Sequence, residues 1–197
     1  QLSDHFTFMF DELMKGGGVG ANYSADYLAE TAPVTADVVL SIVCDEAHAN
    51  VDEFIVDEPE TYDMRINVAD SREGWVEALR MLINLSTTST DYVHLVVDVS
   101  AVRERGMPLM GFGGTASGPA PLVDVLRGVA GTLSMAKGRQ ITGLEAMSID
   151  HAIAQCVVAG NVRRSARMSV MHWNDPDILA FIDCKADMLD HWTTNIS

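Results

Sequence analysis

The sequence predicts an α/β fold with at least partly parallel strands. Amphipathic helical stripes alternate along the chain with short runs rich in Val and Ile. One of those runs, YVHLVVDV at 92–99, is apolar at nearly every position, the pattern of a strand covered on both faces. At 197 residues and 48% hydrophobic the chain is long enough to bury a sizeable core, and no repeat, low-complexity tract or flexible linker divides it.

The elements follow in order. Ser3 is the expected cap of a first helix whose Phe6, Met9, Phe10, Leu13 and Met14 keep helical spacing, and Gly16 to Gly18 stop it. Segments 38–43 (VVLSIV) and 51–56 (VDEFIV) read as short strands, with a turn at the DEPE that follows. Asp70 and Ser71 open a helix with Trp75, Leu79, Leu82 and Ile83 on one face, ending in the STTST loop before strand 92–99. Pro121 suits a first helical turn, and Leu122, Val125, Leu126, Val129 and Leu133 trace a stripe up to Gly138. Thr142 and Glu145 make a T-x-x-E capping box for a helix to about Cys156. A strand in RMSVMHW and a helix begun by Asp175 and Pro176 complete the reading.

Charge and cysteine content narrow the function. The net charge is −15, and residues 1–100 hold 19 acidic against 4 basic side chains while residues 101–197 hold 9 of each. So acidic a first half repels a polyanion, which argues against nucleic acid as a partner and is read as a solvated surface. Cys44, Cys156 and Cys184 are odd in number and far apart, which suits a reducing cytoplasm better than a disulfide framework or a metal site. No run approaches the ~20 apolar residues of a membrane span. Gln1 in place of Met, and a last stretch HWTTNIS without cap or polar tail, are the features of an internal piece of a longer protein.

Three stretches could carry chemistry. KGGGVGANYS (15–24) runs from a helix end through glycines into an extended segment, where bare main-chain N–H groups could meet a ligand; such glycines are more often a simple stop. It lacks the GK[ST] of a phosphate loop and follows a helix, not the strand of a dinucleotide fingerprint. MPLMGFGGTASGPAPL (107–122) gives Gly111, Gly113, Gly114 and Gly118 access to positive φ ahead of a helix whose N-terminal amides favour an anion, or else forms a tight turn with no ligand. AGNVRRSA (159–166) sets Arg163 and Arg164 beside Gly160 and Asn161; guanidinium stacks on bases and forks onto phosphates, though an Arg pair in a loop is usually only solvated.

Taken in order, GGGVG, DSREGWVEAL, RGMPLMGFGGTASGP, VVAGNVRRSA and a Trp followed by TNIS resemble consecutive blocks of the adenosylcobalamin-dependent (class II) ribonucleotide reductases, in particular the monomeric ribonucleoside-triphosphate type. GFGGTASGP and GNVRRSA are long enough to be specific, and the likeness touches nearly the whole chain. The resemblance implies part of a ten-stranded α/β barrel with an inserted α+β specificity segment. On that division residues 1–35 are an early barrel helix and glycine-rich strand end, 36–92 the insertion, and 93–197 barrel strands, helices and a substrate-specificity loop.

The same resemblance implies roles. Gly18, Val19 and Gly20 would pack against a ribonucleoside triphosphate substrate. Gly160, Asn161, Arg163 and Arg164 would lie between the substrate base and a deoxynucleoside triphosphate effector, and Ser71 and Arg72 would help shape the effector site. The glycines of 111–118 would support tight barrel turns rather than touch phosphate. The family uses adenosylcobalamin to generate a cysteine thiyl radical and a thioredoxin-like reductant to restore its redox cysteines, in the service of DNA synthesis. The radical cysteine sits in an Asn-x-Cys-x-Glu motif that does not occur here, so no catalytic residue and no metal site is expected in this chain, and the piece alone is expected to turn nothing over. Asn195, Ile196 and Ser197 depart from the family's usual Asn-Asn-Ser, and His191–Trp192 lacks its usual arginine. A nucleotide-binding regulatory module without activity, or a barrel segment of another reductase class, are the alternatives.

Overall fold

Helix α1 spans Leu2–Met14 in the computed structural model, which describes residues 1–45, 59–109, 114–159, 166–186 and 192–196. Ser3 is not its cap. The helix begins two residues earlier, with Gln1 in the cap position, because Leu2 belongs to the buried stripe; Ser3 is buried too and its hydroxyl donates to Asn84 Oδ1 at 2.7 Å. Phe6, Met9, Phe10 and Leu13 fill the core face as their spacing requires. Each contributes roughly 1.5–3 kcal/mol by leaving water.

The chain then forms β1 (Val19–Asn22), the short helix α2 (Ala25–Leu28), β2 (Ala36–Val43), β3 (Met64–Asn67), α3 (Arg72–Thr88) and β4 (Asp91–Asp98). Expected strand 38–43 lies within β2. The strand expected at 51–56, and the first half of the DEPE turn, lie outside the described residues. Ser71 caps α3 through its side chain, accepting from Gly74 N at 3.0 Å. That helix runs three residues into STTST, where the sequence predicts a loop, and there the Ser86, Thr87 and Thr88 hydroxyls donate back to carbonyls of the preceding turn.

Next come α4 (Ala120–Met135), α5 (Gly143–Ala159), β5 (Arg167–Val170), α6 (Ile178–Asp183) and β6 (Thr194–Ile196). The Thr142/Glu145 box forms as read: Thr142 N donates to Glu145 Oε2 at 2.8 Å, and Glu145 N donates to Thr142 Oγ1 at 3.2 Å. At the glycine-rich stretch, Leu109 N donates to Gly114 O and Ala116 N to Met107 O, closing a turn; Gly118 there has φ +75° and would drive a Cβ to 3.1 Å from Arg105 N.

Among the described residues two three-stranded sheets result, ordered β1-β5-β6 and β2-β4-β3, and every strand pair in them is parallel. Helix α3 links β3 to its neighbour β4 as a βαβ unit. Among the described residues the second sheet is thus α/β in character, where the sequence reading expected an α+β segment; four-residue β3 carries too little pattern to be read in advance. Central β4 buries Val93, Leu95, Val96 and Val97, in keeping with its unbroken apolar run. Helices α1, α3, α4 and α5 pack on one another and bring both sheets onto one core.

Gly143 opens α5 directly beneath the end of β1, where an added Cβ would stand 2.2 Å from Tyr23 O, whereas exposed Gly131 in α4 has no atom within 4 Å of that position. Gly143→Ala is therefore expected to destabilise the protein by about 2 kcal/mol or more, against the usual preference for Ala in helices. Gly131→Ala should stabilise it by roughly 0.5–1 kcal/mol. Urea unfolding of the two variants measures both.

Candidate functional site

The first sheet decides where the candidate residues meet. Val19 pairs with Arg167 in register, Val19 N donates to Ala166 O at 2.9 Å, and a Cβ on Gly18 would lie 3.7 Å from that same oxygen. Gly18 and Val19 thus sit against Ala166, the residue that closes the arginine-bearing stretch. Gly20 lies further along the strand pair, beside Met168. Gly160, Asn161, Arg163 and Arg164 fall outside the described residues.

Ser71 and Arg72 lie at the start of α3, against the last turns of α1. Ser71 spends its hydroxyl on the helix cap. Arg72 Nε pairs with Asp11 Oδ1 at 2.7 Å, and Asp11 Oδ2 in turn holds Lys15 at 2.6 Å, immediately before the glycines. The groove between α1 and α3, of about 460 Å³, is lined by Asp4, Asp11, Glu73 and Glu77 against Arg72 and Arg80, with exposed Phe8 among them. Both arginines are already paired, Arg80 with Asp4 and Glu77, so the groove presents an excess of negative charge.

Sequence reasoning missed the most heavily engaged polar cluster. Asp150 on α5 is fully buried, and its Oδ2 accepts from Tyr23 OH at 2.6 Å and lies 2.7 Å from His5 Nε2 on α1. Arg167, also buried, donates from Nη2 to the Tyr23 oxygen at 3.1 Å and from Nη1 to Thr193 Oγ1 at 2.9 Å. His151 Nδ1 shares that Thr193 hydroxyl at 2.7 Å. Asp150 Oδ1 and Arg167 Nε are buried without a hydrogen-bond partner among the described residues. The forewarning in the sequence is an aspartate inside the largely apolar run AMSIDHAIAQCVV.

Electrostatics fix the protons in this cluster. Burial, reinforced by the Asp150 charge, pushes the Tyr23 phenol far above its ordinary value, so it stays protonated and donates. Burial pulls His5 down, but the hydrogen bond to Asp150 and its charge outweigh that pull, and the net shift is upward. The thiols behave oppositely to nucleophiles: burial raises Cys156 strongly and Cys44 and Cys184 more mildly, which disfavours a thiolate at each.

Residues 38–133 match the family model described as B12-dependent ribonucleotide reductase, insertion domain. The adenosylcobalamin-dependent ribonucleoside-triphosphate reductase of Lacticaseibacillus paracasei is 35% identical over all of this chain. The chain belongs to the B12-dependent ribonucleotide reductase family. A Mycobacterium phage D29 protein provisionally assigned the same activity is 47% identical over 99% of the chain. A crystal structure of a B12-dependent (class II) ribonucleotide reductase superposes on 99% of it with a TM-score of 0.86 at 35% identity. The chain spans 31% of the phage protein and 28% of the other two, about a third of their length.

The described residues do not fit adenosylcobalamin. The α1/α3 groove is small and walled by carboxylates, a poor seat for a large corrin. His5, His94 and His172 are turned onto Asp150, Ser41 and Asn174, and no three His, Cys, Asp or Glu side chains converge on one point among the described residues. No helix there is long and apolar enough to cross a membrane.

The His5 pairing predicts a pH dependence. Because its folded pKa lies above the ordinary 6.5, the stabilisation is complete below that value and fades as pH climbs through the raised one. Comparing wild type with His5→Gln by thermal melting from pH 5.5 to 8.5 should show the gap largest at the acid end and closing toward the alkaline end.

Proposed function

We propose that this chain is the substrate-base and effector-recognising stretch of a ribonucleotide reductase. The whole protein reduces ribonucleoside triphosphates to deoxyribonucleotides for DNA synthesis and depends on adenosylcobalamin. Its first sheet is part of the family's ten-stranded barrel, and residues 36–92 belong to an inserted specificity segment; the family match begins near the start of that segment and runs on past its end, to residue 133.

One observation carries the reading: parallel pairing of β1 with β5 holds the main chain of Gly18 and Val19 against Ala166, the residue that follows the Arg163 and Arg164 stretch. On this reading Gly18, Val19 and Gly20 pack against the nucleoside, for which the two glycines, lacking side chains, leave room. Asn161, Arg163 and Arg164, next to Gly160, sense the base and relay the effector's identity, because guanidinium both stacks on a base and donates in a fixed fork. Ser71 and Arg72 contribute indirectly, holding α3 to α1 so that the effector site keeps its wall; the Ser71 hydroxyl already accepts from Gly74 N, and the Arg72 guanidinium already pairs with Asp11 and Glu73. With Cys44 and Cys156 buried and all three thiols raised, the stretch selects nucleotides while residues elsewhere in the whole protein conduct the chemistry. A thioredoxin-like protein supplies the electrons and the cytoplasm is the setting.

Arg163→Ala in the full-length protein is expected to blur preference among the four ribonucleoside triphosphates by roughly tenfold, the worth of one charged hydrogen bond, while leaving reduction dependent on adenosylcobalamin. Steady-state rates for each substrate with each deoxynucleoside triphosphate effector measure this. Unchanged selectivity removes the loop's role, and reduction without adenosylcobalamin points to another reductase class.

A further inference from the structure

Buried Arg167 sits at a junction that the proposed function does not explain. It opens β5 directly after Ala166, and it is paired in register with Val19 on one side and Thr194 on the other. Its guanidinium reaches Tyr23, which follows β1, and Thr193, which precedes β6. One side chain therefore ties all three strands of the sheet, and through Tyr23 it is tied to Asp150 on α5 and thence to His5 on α1.

Stability alone is a poor explanation for such a cluster. Asp150 and Arg167 are both buried, make no direct pair within salt-bridge range among the described residues, and each leaves one polar atom without a partner. Incompletely satisfied buried charges are generally less stabilising than apolar side chains of the same volume. What the fork provides instead is geometry, because a planar guanidinium bonded at two nitrogens fixes position as well as distance.

We propose that Arg167 is a positioning residue for nucleotide selection, with Asp150 and Tyr23 as its anchor: it fixes Ala166 in height and register against Gly18 and Val19. This rests on the nucleoside-packing role proposed for that backbone. Arg167→Lys keeps the charge but replaces the planar fork by a single nitrogen, so Tyr23 and Thr193 can no longer be held by two separate nitrogens in the observed geometry.

The test uses full-length protein and four forms: wild type, Arg167→Lys, Tyr23→Phe, and the double variant Asp150→Asn with Arg167→Met. Arg167→Lys should raise KM for the preferred ribonucleoside triphosphate roughly tenfold and flatten discrimination by a similar factor, with kcat at saturation within about threefold of wild type. Tyr23→Phe should shift KM in the same direction by a smaller factor. The double variant removes both buried charges; it should melt above Arg167→Lys yet keep the raised KM and flattened discrimination. Recovery of wild-type KM and selectivity along with melting temperature would make the role merely structural and overturn the proposal, as would unaltered KM and selectivity in Arg167→Lys. If the double variant does not fold, Tyr23→Phe decides, since it barely changes volume: an unaltered KM there overturns the proposal. A wild-type protein that reduces no ribonucleotide sinks the functional reading, and this proposal with it. Active, selective wild type beside an equally selective Arg167→Lys sinks the positioning role alone.

Discussion

The carboxylate of Asp150 organises more of this molecule than any other polar group described in it. Held in the interior on α5, it draws the Tyr23 hydroxyl from the end of β1 and the His5 ring from α1 onto one oxygen, and Tyr23 passes the contact on to Arg167 and the rest of the first sheet. Removing one partner from such a buried arrangement generally costs about 3–5 kcal/mol, because a charge is left without compensation. The apolar core is more forgiving. Its contacts are many, individually small and without direction, so they fix that the helices pack but leave their axial settings to groups like these.

The glycine at 143 shows how closely the two systems are coupled. Helix α5 can bring Asp150 up to Tyr23 only because its first residue carries no side chain where it passes under the Tyr23 carbonyl. The Thr142/Glu145 box, further fastened when Arg139 grips Glu145 at 2.7 Å, fixes where that helix begins. Arg139 and the Thr142 amide hold the Glu145 carboxyl below its usual range, keeping it charged for the task despite partial burial.

Much of the architecture was legible because it rests on local rules. Stripes such as Leu122 to Leu133, the T-x-x-E box and the Ser71 cap each need only neighbours within a turn or two, and each stands where the sequence placed it. Ser3 misled because a hydroxyl near a helix start reads as a cap whether or not it is turned inward, and here Asn84, eighty-one residues away, claims it. Strands β3 and β6 span four and three residues and are defined by what they pair with, which no local pattern records. The glycines at 18–20 were visible as bare backbone, but their placement beside Ala166 depends on strand order. The Asp150 cluster was invisible for the same reason: its members, at 5, 23, 150, 167 and 193, share no motif and meet only once the sheet has formed.

The first sheet also has two open sides. Among the described residues β1 and β6 each have a strand on one flank only, and both are short and carry no proline. Main-chain amides and carbonyls along such margins are templates for another chain unless something covers them. At four and three residues those margins offer few bonds to a second copy, so their brevity is itself a guard against stacking through the rims, and a charge placed at either would strengthen it.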